Sequence, residues 1–425
     1  MDCDNDISVL LKKFKKETNV KAIKGILNKR KKDAQGYFIY FGTMKSSSPH
    51  TKSILTAEDQ PVSFAELFFD LVFVFCVTQV VHLLDHAFDW VHLGRAILVF
   101  WLVWWAWTQF TWALNAADTK HDRVQMATLV ATALAFFMAV SVPHSFDTSS
   151  WWFGLTYVAV RGIGLLIYLW VSWPNENMRS AVRSFGAFSI LGLMAVLVGG
   201  FLGGELQYWF WGLAIALDVF AATVGANKEG WGLHPNHFVE RHGLFIIIAM
   251  GETLIVAASG ATKEAWDGHL MLVAALSVGI TSCLWWLYFY RIKDRLEHAM
   301  ARRHGIDQSS MARDVFSLFH FPMVCGLIIY AYAIEQAMLH PKDPLTLEGR
   351  IALSVGVGLY AISIVIAYWR AVGKILWTRV GLAIVFGVIV FGRSGIDVSR
   401  TLMLCLGGLL LLCALENKEE KEIQL

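Results

Sequence analysis

Two acidic side chains, Glu66 and Asp70, lie four residues apart inside the apolar stretch SFAELFFDLVFVF. Residues with this spacing share one face of a helix, so the two carboxylates would be neighbours. Neighbouring carboxylates in an apolar setting favour the binding of a proton or a cation, because both cannot easily carry a negative charge together. The pair is therefore a candidate for proton or cation handling. The alternative is that both acids pair with arginines and fix the packing of helices.

A third acid, Glu252, lies in the middle of a second apolar stretch, LFIIIAMGETLIVAASG. Arg241 precedes it by about three helical turns and shares its face, but lies roughly 16 Å away along the axis and cannot pair with it. A charge inside a membrane is costly, so such residues are functional candidates by default. A buried, protonated and purely structural Glu252 is the alternative. The predicted proton, cation or substrate pathway consists of Glu252, Asp70, Glu66, Glu240 and Arg241.

Three further ionisable residues, Arg161, Asp218 and Glu335, also lie within apolar stretches. An arginine cannot be neutralised, so Arg161 needs a carboxylate partner, and Asp218 is a plausible one. We interpret these three residues as structural intramembrane ion pairs.

The sequence gives little support for a metal site or a nucleotide-binding site. His234 and His237 could bind a metal together with Glu240 or His242, but these residues open a membrane helix, where histidines usually form hydrogen bonds. We therefore expect no metal and no cofactor. The sequence contains no Walker loop, no GxSxG elbow in a suitable context and no HExxH motif. We expect no enzyme and no catalytic residue; an intramembrane enzyme acting on lipid remains the alternative.

The elements that position these residues are apolar helices. Of the 425 residues, 56% are hydrophobic and only 16% are charged, against about 25% charged in soluble domains. The composition predicts an all-α integral membrane protein whose main partner is the lipid bilayer. Stretches long enough to cross it are predicted at 64–84, 93–113, 124–142, 151–173, 184–203, 207–226, 242–260, 270–290, 315–339, 349–369, 375–392 and 401–415.

The positions of Lys and Arg predict the orientation. With a cytoplasmic N-terminus and twelve spans, only six basic residues fall outside, as the positive-inside rule requires. We therefore expect a multi-pass protein of the cell membrane with both termini cytoplasmic. Residues 1–60 would form a basic arm, either flexible or in contact with anionic lipid, and residues 416–425 a charged tail. A net charge of +2 suggests no nucleic-acid partner.

The two halves of the chain, 61–230 and 231–415, resemble each other. Phe64-Ala65-Glu66 opens the first span, and Phe238-Val239-Glu240 opens the seventh. Trp104-Trp105 in the second span has a counterpart in Trp285-Trp286 in the eighth. This pattern predicts two six-helix halves related by a parallel internal repeat; coincidence within an apolar sequence is the alternative.

The blocks ELFFDLVFV at 66–74 and ERHGLF…GE at 240–252 resemble the bacterial low temperature requirement A family of membrane proteins. The resemblance covers about residues 58–415 and implies a multi-pass membrane protein, without naming a substrate. The residues favour a secondary transporter or ion-conducting protein coupled to protons or cations, acting on a small solute or ion. The alternatives are a non-transporting scaffold or sensor that supports the envelope in the cold, and the lipid-modifying enzyme.

Overall fold

The computed structural model describes residues 60–85, 90–261, 267–392 and 395–424. Within these ranges the chain is helical and contains no strand, apart from an isolated bridge between Pro344 and Asp397. The basic arm predicted for residues 1–60 lies outside the described residues except for Gln60, which donates a hydrogen bond to the carbonyl of Ala117 over 2.6 Å.

Each predicted span falls on a helix, and the helices are numbered here in chain order. The first half contains α1 (Phe64–Asp85), α2 (Trp90–Ala116), α3 (Asp122–Ser141), α4 (Ser150–Ser172), α5 (Glu176–Leu202) and α6 (Gly204–Ala226). The second half contains α7 (Pro235–Ala261), α8 (Gly268–Phe289), α9 (Ile292–Ala301), α10 (Gly305–Met311), α11 (His320–Leu339), α12 (Leu347–Val372), α13 (Trp377–Gly392) and α14 (Val398–Gln424). The described part of the predicted tail, up to Gln424, continues α14 as a helix.

Among the described residues, ten helical segments are long and apolar enough to cross a membrane. The chain is thus an all-helical membrane protein with many apolar helices. Two of the helices that match predicted spans are not among the ten. The helix α7 carries Glu240, Arg241 and Glu252, and α13 has only 16 residues.

The helices α1 and α7, which begin the two predicted halves, share the same neighbours. They contact each other, and each of them also contacts α2 and α11. Apolar side chains such as Phe73 on α1 and Phe245 on α7 are fully or almost fully buried. This arrangement makes Glu66 and Asp70 of α1 face Arg241 of α7.

The ninth predicted span begins with an irregular turn. Proline lacks the N–H that an α-helix needs, so Pro322 predicts a kink within this span. The structure has a π-helix at Ala312–Leu318, immediately before α11, in which the N–H of Phe319 donates to the carbonyl of Asp314. The distortion therefore lies one turn before the proline, whose ring occupies the first turn of α11. The connection between the predicted spans 270–290 and 315–339 contains α9 and α10.

The helices α11 and α12 pack backbone against backbone at two glycines. A Cβ added to Gly356 would lie 2.6 Å from the amide nitrogen of Tyr330, and one added to Gly326 would lie 2.7 Å from the carbonyl oxygen of Gly356. Small residues at such positions allow membrane helices to approach closely.

We expect Gly356→Ala to lower the stability of the detergent-purified protein by about 1–3 kcal/mol, because α11 and α12 would have to separate. The matched control is Gly358→Ala on the same helix, where an added Cβ meets no atom within 4 Å. Thermal unfolding monitored by tryptophan fluorescence compares the two variants. Equal midpoints for both would show that the close contact contributes nothing to stability.

Candidate functional site

A single guanidinium group joins both acids of α1. Arg241 donates from Nη1 to Glu66 Oε1 over 2.7 Å and from Nη2 to Asp70 Oδ1 over 2.5 Å. The three side chains are at most 1% exposed. Glu66 and Asp70 lie one turn apart on α1, so one arginine on the facing helix can reach both. This contact connects α1, the first helix of one predicted half, to α7, the first helix of the other.

His237 extends the cluster on the α7 side, one turn before Arg241. Its Nε2 lies 2.9 Å from Glu66 Oε1, and its Nδ1 lies 3.1 Å from Nδ2 of Asn115 on α2. The orientation of the Asn115 amide is fixed because it accepts from the N–H of His234 and donates to the carbonyl of the same residue. An amide nitrogen can only donate, so Nδ1 of His237 accepts and Nε2 carries the proton donated to Glu66.

The charges of this buried cluster do not balance. Glu66 and Asp70 provide two carboxylates, Arg241 provides one guanidinium, and the tautomer assigned above leaves His237 neutral. Asp70 Oδ1 also accepts from Nε1 of Trp107 over 2.7 Å, whereas its Oδ2 is buried without a hydrogen-bond partner in the described part of the chain. Binding of one proton or one monovalent cation would bring the charge to zero.

Glu252 lies farther along the same seam between α1 and α7. It is 6% exposed, and its Oε1 accepts a 2.5 Å hydrogen bond from Oγ1 of Thr78 on α1. Thr78 is eight residues beyond Asp70, or about 12 Å along the helix. Apolar, buried residues such as Phe73 and Phe245 lie in between. The seam therefore has two acidic positions at different levels along the helices, separated by apolar residues.

A second buried ion pair lies within the first half. Arg161 on α4 contacts both oxygens of Asp218 on α6 at 3.0–3.1 Å. It also donates to Gln109 over 2.6 Å, to the Tyr157 hydroxyl over 2.6 Å and to Ser189 over 3.1 Å. One positive charge meets one negative charge here, and every nitrogen of the guanidinium has a partner. Such a balanced and fully hydrogen-bonded pair suits a role in packing.

The other predicted site residues lie elsewhere. Glu240 is exposed, unlike its neighbour Arg241, so the structure does not bring it into the cluster. Glu335 is buried on α11 and is not among the partners of Arg161.

Sequence reasoning missed several partners, including Trp107, Asn115 and Thr78, because uncharged residues do not stand out in an apolar helix. One signal was present for Thr78. The offset of 174 residues that relates Phe64 to Phe238 also relates Thr78 to Glu252. A third buried pair, in which Arg379 contacts both carboxylate oxygens of Glu416, was not predicted either. Among the described residues, no group of His, Cys, Asp and Glu side chains is arranged to hold a metal ion.

Comparison with known proteins identifies relatives that align with part of the chain. The chain is 25% identical over 313 residues to the "Uncharacterized protein RA0937" of Rhizobium meliloti (strain 1021), covering 71% of this chain and 76% of that protein. It is 29% identical over 135 residues to the "Putative multidrug resistance protein MdtD" of Enterobacter sp. (strain 638), covering 30% of this chain and 27% of that protein. No solved structure matches the chain.

The profile of one protein family matches most of the sequence. It is the bacterial low temperature requirement A protein family, and the match extends over residues 61–414. These residues include both halves, the Glu66–Asp70–Arg241–His237 cluster and Glu252. The chain therefore belongs to the bacterial low temperature requirement A protein (LtrA) family.

Proposed function

We propose that this protein is a secondary transporter driven by protons or monovalent cations, with the coupling ion bound along the seam between α1 and α7. The observation that carries the proposal is the charge imbalance of the buried cluster, in which Glu66 and Asp70 share Arg241. An unpaired charge buried in a membrane protein is costly. Uptake of one proton or cation by Asp70 relieves this cost and weakens its hold on Arg241.

A weaker contact between Asp70 and Arg241 would couple ion binding to movement of the helices. Arg241 connects α1 to α7, so its release from Asp70 loosens the contact between the two halves. Movement of one half against the other is how many transporters expose a central site to each side in turn. The apolar layer between Asp70 and Glu252 supports a transporter over an open channel, because ions would not cross this layer without a conformational change.

We further propose twelve membrane spans in two six-helix halves, with both termini cytoplasmic. The neighbour relations support this arrangement, since the same pairs pack together in each half. The first helix contacts the second and third, the third contacts the fourth, the fourth contacts the fifth, and the sixth contacts the second and fifth. In this scheme α7 and α13 also cross the membrane, and α7 carries Arg241 and Glu252 against α1 instead of against lipid.

The test uses purified protein in liposomes under an imposed pH gradient, with charge movement as the readout. We expect a current from the unaltered protein and at least a tenfold smaller current from Glu252→Gln, because the amide cannot take up a proton. The control is Glu240→Gln, which makes the same chemical change at an exposed position on a different face of α7. It should leave the current unchanged.

If the folded protein gives no current under any solute condition tested, the transport proposal fails and a scaffold or sensor role becomes the better explanation. A current that Glu252→Gln leaves intact would remove Glu252 from the pathway. Incubation of the same liposomes with labelled lipid, followed by chromatography, tests the enzymatic alternative, for which we expect no product.

A further inference from the structure

A cavity of about 30 Å³ is lined mainly by residues of the first half, with Arg313 and Ser317 contributed by the second, and it shares no residue with the cluster between α1 and α7. It is lined by residues of α2, α4, α5 and α6, by Trp231 after α6, and by the π-helix Ala312–Leu318 of the second half. Its volume suits one or two occupants of the size of a water molecule. The aromatic rings of Trp112, Tyr168 and Trp231 form much of its wall.

The polar groups that line the cavity are mainly hydrogen-bond donors. Within the described residues, Thr108 Oγ1, Tyr168 Oη and Arg313 Nη1 are buried atoms without a hydrogen-bond partner. Ser317 Oγ accepts a bond from Nε1 of Trp112 over 2.9 Å, so its own hydroxyl proton remains free to donate. None of the described lining residues is acidic. Burying a hydrogen-bond donor without an acceptor costs free energy. An occupant that only accepts hydrogen bonds would satisfy all four of these groups.

The local charge also favours an acceptor with negative charge. Asp314 accepts two hydrogen bonds from arginines. Its Oδ1 accepts from Nε of Arg313 over 2.7 Å, and its Oδ2 accepts from Nε of Arg370 over 2.8 Å. Two guanidinium groups therefore share one carboxylate, which leaves one positive charge unbalanced. The nitrogens of Arg313 that face Asp314 are Nε and Nη2, so Nη1 is the one left for the cavity.

The irregular backbone places these groups. A π-helix turn often occurs at a functional site because it redirects side chains that a regular helix would point elsewhere. Here the π-helix holds both Arg313 and Ser317 at the cavity wall. Nε1 of Trp104 on α2 donates to the carbonyl of Ser317 over 2.7 Å and fixes the turn against the first half.

We propose that this cavity binds a single small inorganic anion of the size of chloride. The positive charge comes from Arg313, and the hydroxyl groups of Thr108, Tyr168 and Ser317 complete its coordination. We expect the site to prefer chloride to a larger oxyanion such as sulfate, because the cavity has room for only one or two occupants of the size of a water molecule. The site is independent of the proposed proton coupling, since it shares no residue with the seam of α1 and α7.

The test measures the thermal stability of the purified full-length protein while sodium chloride replaces sodium gluconate at constant ionic strength. A ligand that binds only the folded state stabilises it, so we expect a saturable rise of about 3 °C in the unfolding midpoint at a hundredfold excess over Kd. Sodium sulfate should give no such saturable rise. Equilibrium binding of radioactive chloride gives a second readout that does not depend on unfolding.

Three variants examine the coordination. Arg313→Gln should abolish the chloride response, and Tyr168→Phe, which keeps the ring and removes the hydroxyl, should weaken chloride binding at least tenfold. Arg370→Gln removes the unbalanced charge without touching the cavity and should also weaken binding. Arg400→Gln, at an exposed position on α14, is the control and should respond like the unaltered protein.

A chloride response that persists in both Arg313→Gln and Tyr168→Phe would place the anion elsewhere and overturn the assignment. The absence of saturable chloride binding to the unaltered protein would also overturn it, and would leave water as the occupant. Tyr168→Phe preserves packing, so its chloride response tests the assignment of the site even if Arg313→Gln fails to fold.

Discussion

Replacement of Arg241 by methionine is expected to destabilise the protein by about 3–5 kcal/mol, enough to remove most of the folded protein from detergent extracts. The change leaves Glu66 and Asp70 facing each other in the packed interior, both at most 1% exposed, without the cation that joins them. Removing one partner of a buried ion pair is far more harmful than removing both, because the remaining charge stays unsolvated. Size-exclusion chromatography and thermal unfolding measure the loss.

Removal of all three charges provides the control for this prediction. The triple variant Arg241→Met, Glu66→Gln, Asp70→Asn has no unpaired charge in the cluster, so we expect it to regain most of the lost stability. Glu240→Gln, adjacent in sequence and exposed, should behave like the unaltered protein throughout. If Arg241→Met were as stable as the triple variant, the cluster would not be held together by charge.

Replacement of Arg161 by methionine is the second change with a large expected effect, again about 3–5 kcal/mol. It leaves Asp218 buried at 1% exposure without its guanidinium partner. The double variant Arg161→Met, Asp218→Leu should recover most of the stability, since replacing a buried pair by apolar side chains is often neutral or stabilising. The residual cost comes from Gln109 and Tyr157, which lose a hydrogen-bond partner.

Thermal unfolding of the single and double variants of this pair, measured side by side, checks the prediction. A double variant as unstable as Arg161→Met alone would show that the hydrogen bonds to neighbouring helices, and not the buried charge, determine the stability of this region. The transport assay then separates the two clusters by function, because the balanced pair is proposed to have a structural role only.

The sequence is sufficient to locate the long apolar helices and the acids within them. Apolar stretches of membrane-crossing length produce the helices, and each predicted stretch falls on one. The spacing of Glu66 and Asp70 placed both on one face, and the structure has both on the face that contacts Arg241. Local periodicity is enough for such statements, because it depends on residues only a few positions apart.

The partners across helices could not be predicted in the same way. Arg241 lies 171 residues from Asp70, and nothing in a single sequence indicates that these two side chains meet. Glu240 and Arg241 are adjacent in sequence, yet one is exposed and the other fully buried, because the packing of α7 against α1 decides which face is covered. The π-helix before α11 was beyond prediction for a related reason, since its position depends on contacts such as that between Trp104 and Ser317.

The most direct test of the proposed coupling compares proton-driven charge movement in liposomes for the two charge-free variants. Both are expected to fold, so a difference between them reflects function and not stability. We predict that the triple variant of Glu66, Asp70 and Arg241 gives no current, whereas the double variant of Arg161 and Asp218 retains most of the current of the unaltered protein. A triple variant that moves charge at the unaltered rate would contradict the assignment of this cluster as the coupling site.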